Sequence, residues 1–390
     1  MRSDAFYGIP YFMIVIHIVT HFSFHLRGAA VLQSNSTGYP LGYTDTFPLV
    51  GLLYQPRLHE INLLVRLIIN TRSHGTLLAQ NNTAFPAYEI SGGLTLLLAT
   101  VMIFTTTMDI FGNILVVLSV FQNKKLRNAG NMFVISLSAA DVLGAVYPYP
   151  LLIRSILQNQ FQFGEMQCQI AAFIHGLSFN ASVYNIMAIA INRWCCICLA
   201  MKYEQIFTMK NTYCYIFLTW TISFILIIPD SLVGALQYNP HVYMCTLQFT
   251  ANEALTIGVS VFHFILPVSV VILCYASIWI MVIMVKYRIK KDSKQILNPT
   301  DMRHFLTMFV VFVLFAICWA PFSIPALIAG FSPPGKAPNF PDWLFVLGYF
   351  SACFNSCLNG IVYGVFNKNF QQEYKRILHT MLTFIMGGIK

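Results

Sequence analysis

Thr307-Met-Phe-Val-Val-Phe-Val-Leu-Phe-Ala-Ile-Cys-Trp-Ala-Pro321 contains no charged side chain and is apolar all the way round a helix. A helix of that kind belongs in a large core or in lipid. Extended in both directions, the mainly apolar run covers 304–330, longer than the ~20 residues that carry an α-helix across a bilayer. Six more stretches have the same character: 94–120, 131–157, 166–198, 211–234, 254–285 and 343–366. Helices are expected because lipid offers no partner to an unpaired backbone amide, and the alternation of a membrane barrel is missing. The expected fold class is an all-α membrane protein, a seven-transmembrane helix bundle. A short amphipathic helix 8 is expected from Asn367 to Thr380. It would carry Phe370, Tyr374, Ile377 and Leu378 on one face and lie on the inner membrane surface.

The rest of the chain agrees. Of its 390 residues, 57% are hydrophobic and only 9% charged, where a soluble domain carries about 25% charged residues. So few charges cannot cover a water-facing surface, and disorder needs the opposite balance. The net charge of +9 raises the question of nucleic acid, but its distribution argues otherwise. Lys124, Lys125, Arg127, Lys202, Lys210, Lys286, Arg288, Lys290, Lys291, Lys294, Arg303, Lys368, Lys375 and Arg376 fall on alternate connections and the tail. The intervening segments 158–167 and 235–253 have no Lys or Arg. That asymmetry orients a membrane protein, with the basic side in the cytosol. It implies a multi-pass membrane protein, N-terminus outside and C-terminus inside, with no nucleic-acid partner.

Three regions follow: an outward N-terminal segment 1–93, a seven-span domain 94–366, and a cytoplasmic helix 8 with a short tail, 367–390. The apolar stretch Ile9–Val19 after Arg2 resembles a signal-peptide core, giving a candidate signal peptide over 1–30. Asn35 and Asn81 open glycosylation sequons on the outward side. Asn180 also opens one, but inside a span. Of ten cysteines, only Cys168 and Cys245 fall at outward positions. They face an oxidising compartment and are expected to pair.

Polar groups inside a membrane are costly and mark function by default. Those here are Asp109, Asn113, Asp141, His175, Ser182, Asn192, Arg193, Asp230, His263, Asn355 and Asn359, accompanied by Trp319, Pro321, Pro267, Tyr275 and Tyr363. With one such marker in each span, in order, the chain resembles the rhodopsin-like G protein-coupled receptors. Asn123-Lys-Lys-Leu-Arg-Asn-Ala-Gly-Asn131, Tyr147-Pro-Tyr-Pro150, Ala190-Ile-Asn-Arg193, Cys196-Ile-Cys198 and Phe354-Asn-Ser-Cys-Leu-Asn359 narrow the resemblance. With the opening stretch, they are similar to signatures of the melatonin receptors over about residues 94–380. The sequence departs from that family at Trp194, where it has Tyr, and at Gly360, where it has Ala.

The resemblance implies a receptor, not an enzyme. Its ligand would be melatonin or a related indoleamine, and it would couple to inhibitory Gi/o proteins. His263, before Pro267, matches the family's ligand-lining histidine, and Tyr349 matches a pocket tyrosine. Asp230 stands where the family has a methoxy-reading asparagine. An ionised carboxylate only accepts hydrogen bonds, so Asp230 can donate to an ether only if burial keeps it protonated. Leu247 and Phe249 replace the family's stacking phenylalanine and amide-binding glutamine, with Gln248 between them. Ser323 and Ala326 replace Asn and Gly in the sixth span. A missing donor and a missing stack predict weaker melatonin binding. The alternative reading is a ligand-less, melatonin-related orphan receptor that acts as a dimerisation partner or scaffold. His175 occupies the site where amine receptors carry an acid. Cys353 occupies that of the opsin lysine, which excludes retinal.

Asp141, Ser182, Asn355, Ser356 and Asn359 match the cluster that holds an allosteric sodium ion in many rhodopsin-like receptors, the one cofactor-like group implied. Trp319, on a helix bent by Pro321, is expected to transmit ligand contacts. At the cytosolic end Asn192 replaces the usual acid beside Arg193, so Asp301 is the expected inactive-state partner, with Tyr275 and Tyr363 receiving Arg193 on activation. The internal repeats of a transporter and the filter of a channel are missing from the sequence.

Overall fold

Each apolar run forms a helix whose outward side chains have no polar solvent to meet. The structure, a computed structural model, describes residues 92–247, 253–289, 299–332, 338 and 340–387. The candidate signal peptide, the sequons at Asn35 and Asn81, and Gln248 and Phe249 lie outside the described residues. Among the described residues, seven helices are long and apolar enough to cross a membrane. They are Gly92–Gln122, Ala129–Gln158, Glu165–Cys198, Met209–Leu232, Thr256–Val285, Met302–Ala329 and Asp342–Phe366. Met102, Val116, Phe133, Leu137, Ile186 and Phe315 face inward and are buried. Phe217, Ile225, Leu273, Ile280 and Ile317 point outward and are exposed, as a lipid-facing surface requires.

Prolines and glycines shape the bundle. The second span divides into Ala129–Val146 and Pro148–Gln158, because Pro148 has no N–H with which to continue the ladder. The fifth span opens with Glu253–Val259, passes through a π-helical turn at Ser260–Ile265, and continues as Leu266–Ile289. In that turn the Leu266 amide bonds to the Val261 carbonyl. Such π-turns often occur at functional sites, and this one carries His263. Two close approaches need glycine. A Cβ on Gly360 would lie 2.7–2.9 Å from the Gly112 backbone of the first span. One on Gly348 would lie 2.8 Å from the Phe322 backbone nitrogen of the sixth.

One end of the bundle is roofed by a hairpin, Leu236–Asn239 antiparallel to Met244–Leu247, with Tyr238 opposite Cys245. Cys245 is disulfide-bonded to Cys168 at the start of the third span, with Cα atoms 5.3 Å apart, so the hairpin is tied across the mouth. At the other end a helix, Lys368–Gly387, follows the seventh span. It runs past the expected Thr380. Phe370 is buried against Tyr363, with ring centroids 5.6 Å apart, and the Tyr374 hydroxyl donates to the Gly360 carbonyl at 3.1 Å.

Candidate ligand pocket and signalling core

Beneath the hairpin, the third to seventh spans enclose a cavity of about 860 Å³, counting its open mouth. His175, Asp230, Leu247, His263, Ser323, Ala326 and Tyr349 all line it, so the described residues singled out in the sequence converge. Gln248 and Phe249 are not described. Trp319 lines the same cavity and stacks on Phe179, with centroids 3.9 Å apart and planes at 28°.

Local structure aims each polar group. Asp230 follows Pro229 in the last turn of the fourth span, where its carbonyl accepts from the Ala235 amide at 3.0 Å. Its side chain is 1% exposed, and Oδ1 has no hydrogen-bond partner. His263 is presented by the π-turn beside the Leu226 backbone of the fourth span. His175 packs its ring on Tyr349 at 5.4 Å and Tyr149 at 6.0 Å, and its Nδ1 is unpaired. The remaining wall is mostly aromatic and aliphatic, including Phe179, Ile227, Leu236, Phe264, Phe322 and Leu327. Such a cavity suits a flat, largely apolar molecule with a few hydrogen-bonding groups. Phe179 and Ile227 were missed by the sequence reading, although their signal was there. They stand four and three residues from His175 and Asp230, hence on the same helix faces.

Below Trp319 lies a second polar layer. Asp141 accepts from Ser182 Oγ at 2.8 Å through Oδ1 and from Asn359 Nδ2 at 2.6 Å through Oδ2. Asn355 and Ser356 are buried, and Ser356 Oγ lies 3.3 Å from the Tyr149 hydroxyl. Asp109, unassigned in the sequence reading, belongs beside them. Its Oδ1 accepts from Asn113 Nδ2 at 2.6 Å, and that amide also reaches the Ser356 carbonyl at 3.4 Å. Asp109 interacts electrostatically with Asp141, and its own Oδ2 is buried without a partner.

The third layer is at the end remote from the hairpin. Arg193 is buried and donates from Nη2 to Asn192 Oδ1 at 2.7 Å, while its Nε has no partner. Asn192 donates in turn to the Tyr203 hydroxyl at 3.2 Å. Burial pushes the Tyr203 phenol above its ordinary value, and the Arg193 charge acts in the opposite direction. Tyr275 and Tyr363 are buried within electrostatic range of Arg193, and the Tyr363 hydroxyl makes no hydrogen bond. Trp194, which follows Arg193 in the chain, is half-buried. Asp301 falls in the sixth helix, Pro299–Phe331, but its side chain lies outside the described residues.

Comparison with known proteins identifies relatives. A family model described as "7 transmembrane receptor (rhodopsin family)" matches residues 112–363. The chain is 52% identical over 315 residues to melatonin receptor type 1C of Xenopus laevis, covering 81% of this chain and 74% of that one. It is 50% identical over 317 residues to melatonin receptor type 1A of Phodopus sungorus, covering 80% and 90%. To melatonin receptor type 1B-B of Danio rerio it is 48% identical over 300 residues, covering 77% and 85%. The fold is similar to the crystal structure of squid rhodopsin, with a TM-score of 0.64 at 19% identity, covering 78% of this chain and 92% of that one.

Proposed function

Because the chain belongs to the melatonin receptor family of rhodopsin-like receptors, we propose that it binds melatonin or a related indoleamine in the bundle cavity and activates inhibitory Gi/o proteins. On this reading it sits in the plasma membrane with the hairpin end outside. The observation that carries it is the meeting of His175, Asp230, His263 and Tyr349 around one cavity with the Trp319–Phe179 stack on its wall. An indole ring fits between aromatic and aliphatic surfaces, and the few polar groups fix its orientation.

A ligand shifts a receptor only through its different affinity for two states. Ligand atoms against Trp319 would bias its stack on Phe179, and with it the sixth span on either side of Pro321. Outward motion of that span would part Arg193 from Asp301 and open a cleft for a G-protein helix. Tyr275 and Tyr363 would then receive the guanidinium, for which the unpaired Tyr363 hydroxyl is suited. The buried layer around Asp141 fits a sodium ion. Ser182 and Asn359 hydrogen-bond the Asp141 carboxyl, Asn355 and Ser356 are buried one turn from Asn359 on the same span, and Asp109 Oδ2 is buried without a partner. A bound cation would offset the negative charge of two buried acids, which are otherwise expensive to ionise together.

The test is saturation binding of tritiated melatonin to membranes from cells expressing the chain, with cyclic AMP measured in the same cells. Saturable binding with a fall in cyclic AMP is expected. No indoleamine binding and no G-protein response would refute the proposal and favour a ligand-less scaffold.

A further inference from the structure

Asp230 presents the cavity with an acceptor that the protein itself leaves unanswered. The residue lines the cavity, its side chain is 1% exposed, and Oδ1 has no hydrogen-bond partner. No Lys or Arg is among the described residues that line the cavity. A buried acceptor without a donor is costly, and an occupant that supplies the donor recovers that cost. We propose that Asp230 makes this pocket a receptor site for a hydroxyl-bearing indole, an N-acylated hydroxyindole-ethylamine, in preference to its methyl ether. The inference rests on the reading above that the cavity takes an indoleamine, and it names the ring substituent.

The chemistry favours the hydroxyl whichever form Asp230 takes. Ionised, the carboxylate only accepts, so a hydroxyl gives one charge-assisted hydrogen bond. An ether oxygen gives none and sets two acceptors against each other. Protonated, the carboxyl donates once and accepts once. A hydroxyl then answers both roles, whereas an ether accepts one bond and leaves the carboxyl's other oxygen bare. In either form the hydroxyl makes one more bond than the ether. Of the polar features of an N-acyl indole-ethylamine, the ring oxygen gains a donor, keeping its acceptor capacity, by loss of one methyl group. A matched pair of ligands therefore isolates it.

A free amine fits the same wall less well. An ammonium has three N–H donors, and the cavity is dominated by side chains such as Ile227, Leu236, Val259 and Phe264. Burying an ammonium with too few acceptors is expensive. A hydroxyl carries one donor and matches one unpaired acceptor.

The experiment is saturation binding on membranes from cells expressing the full chain. The tritiated probes are N-acetyl-5-hydroxytryptamine, its methyl ether melatonin, and the free amine 5-hydroxytryptamine. The wild type is expected to bind the hydroxyl compound at least about tenfold more tightly than the ether, the ratio that one additional hydrogen bond gives. Asp230→Asn, whose amide can donate to an ether, should shrink the ratio to about threefold or less. Asp230→Ala should shrink it as well, and serves if the asparagine variant fails to reach the membrane. Equal or tighter binding of the ether by the wild type overturns the inference and leaves the indoleamine reading standing. A tenfold preference that survives both substitutions removes Asp230 from the role. Tightest binding of the free amine replaces the proposal with a cationic ligand. Failure of all three probes to bind the wild type overturns the indoleamine reading and this inference with it.

Discussion

Replacing Gly348 with alanine would put a methyl group against a backbone that cannot turn aside. A Cβ there would stand 2.8 Å from the Phe322 nitrogen, 2.9 Å from its Cα and 3.0 Å from the Pro321 carbonyl carbon. Comfortable contact between carbon atoms is about 3.5–4.0 Å. The sixth and seventh spans must therefore separate by something on the order of 0.5–1 Å at this level, or bend. Overpacking of this kind typically costs about 1–3 kcal/mol. Alanine is also a better helix former than glycine by about 0.8–1.0 kcal/mol, so the clash needs its own control. Gly258 supplies one, because a Cβ there has nothing within 4 Å. Gly258→Ala keeps the helix benefit without the contact, and the difference between the two variants isolates the clash. Ser323 and Ala326 on one span and Tyr349 and Ala352 on the other line the cavity around this contact, so ligand affinity should fall as well. The assay is the thermal midpoint of detergent-solubilised receptor, with ligand binding measured in parallel. Gly348→Ala is expected to melt several degrees below both Gly258→Ala and the wild type. A midpoint equal to that of Gly258→Ala, with unchanged affinity, would refute the close packing on which the argument stands.

Two further substitutions test the ends of the bundle. A Cβ on Gly130 would fall 1.7 Å from Arg193 Nη2 and 3.1 Å from Asn192 Oδ1. The tip of a flexible side chain yields more easily than backbone, so Gly130→Ala should fold but displace the guanidinium and raise basal G-protein activation, measured as nucleotide exchange on membranes. Unchanged basal exchange with normal surface expression would show that this glycine does not set the arginine's position. At the other end, Cys245→Ser would release the hairpin from the third span across a sequence separation of 77. Loss of a native disulfide commonly costs about 2–5 kcal/mol, and Leu247 on the same strand lines the cavity. A lower thermal midpoint and weaker ligand binding are expected, reproduced by reducing the wild type. Insensitivity to both treatments would count against the tether.

The seven helices were legible because lipid makes apolar length almost sufficient evidence for a span. Their ends were less so. The sixth helix begins at Pro299, five residues before the expected start, because Pro-Thr-Asp-Met-Arg is a polar turn that hydropathy does not register as helix. The π-turn at Ser260–Ile265 was hidden for the opposite reason. Its residues are as apolar as the helix around them, and only Pro267 hinted at a break. Pocket residues such as His263, Asp230 and Tyr349 could be named because they match positions of the receptor family that the sequence resembles, and the structure brings them to one cavity. Asp230 was read as a change of chemistry, but its unpaired oxygen is a property of its neighbours, which no single run contains. The same holds for Gly112, Gly348 and Gly360. In sequence they are poor helix formers, and only the packed bundle shows the backbones they bring together.

The three polar layers restrain the spans unequally, and that inequality bears on what can move. The third span contributes to every layer through His175, Ser182 and Arg193, roughly 27 Å from first to last at about 1.5 Å per residue. The first span is joined to the seventh through Asn113, which Asp109 holds, and the second to the third and seventh through the Asp141 carboxyl. The sixth span meets the third and fifth through rings. Trp319 stacks on Phe179, and Phe305, Phe309 and Phe312 surround Tyr275 at 5.4–5.7 Å. Toward the seventh span it has hydrogen bonds, from Ser351 Oγ to the Cys318 carbonyl at 2.8 Å and between Asn367 and His304 at 3.1 Å. An aromatic pair contributes about 0.5–1.5 kcal/mol beyond its buried area, whereas leaving a buried hydrogen-bonding group without its partner costs about 1–3 kcal/mol. Sliding the sixth span against the third and fifth therefore exchanges a few weak contacts, while moving the first, second or seventh breaks stronger ones. A differential affinity of about 1–3 kcal/mol, the usual size of a coupling between sites, would match each ring contact.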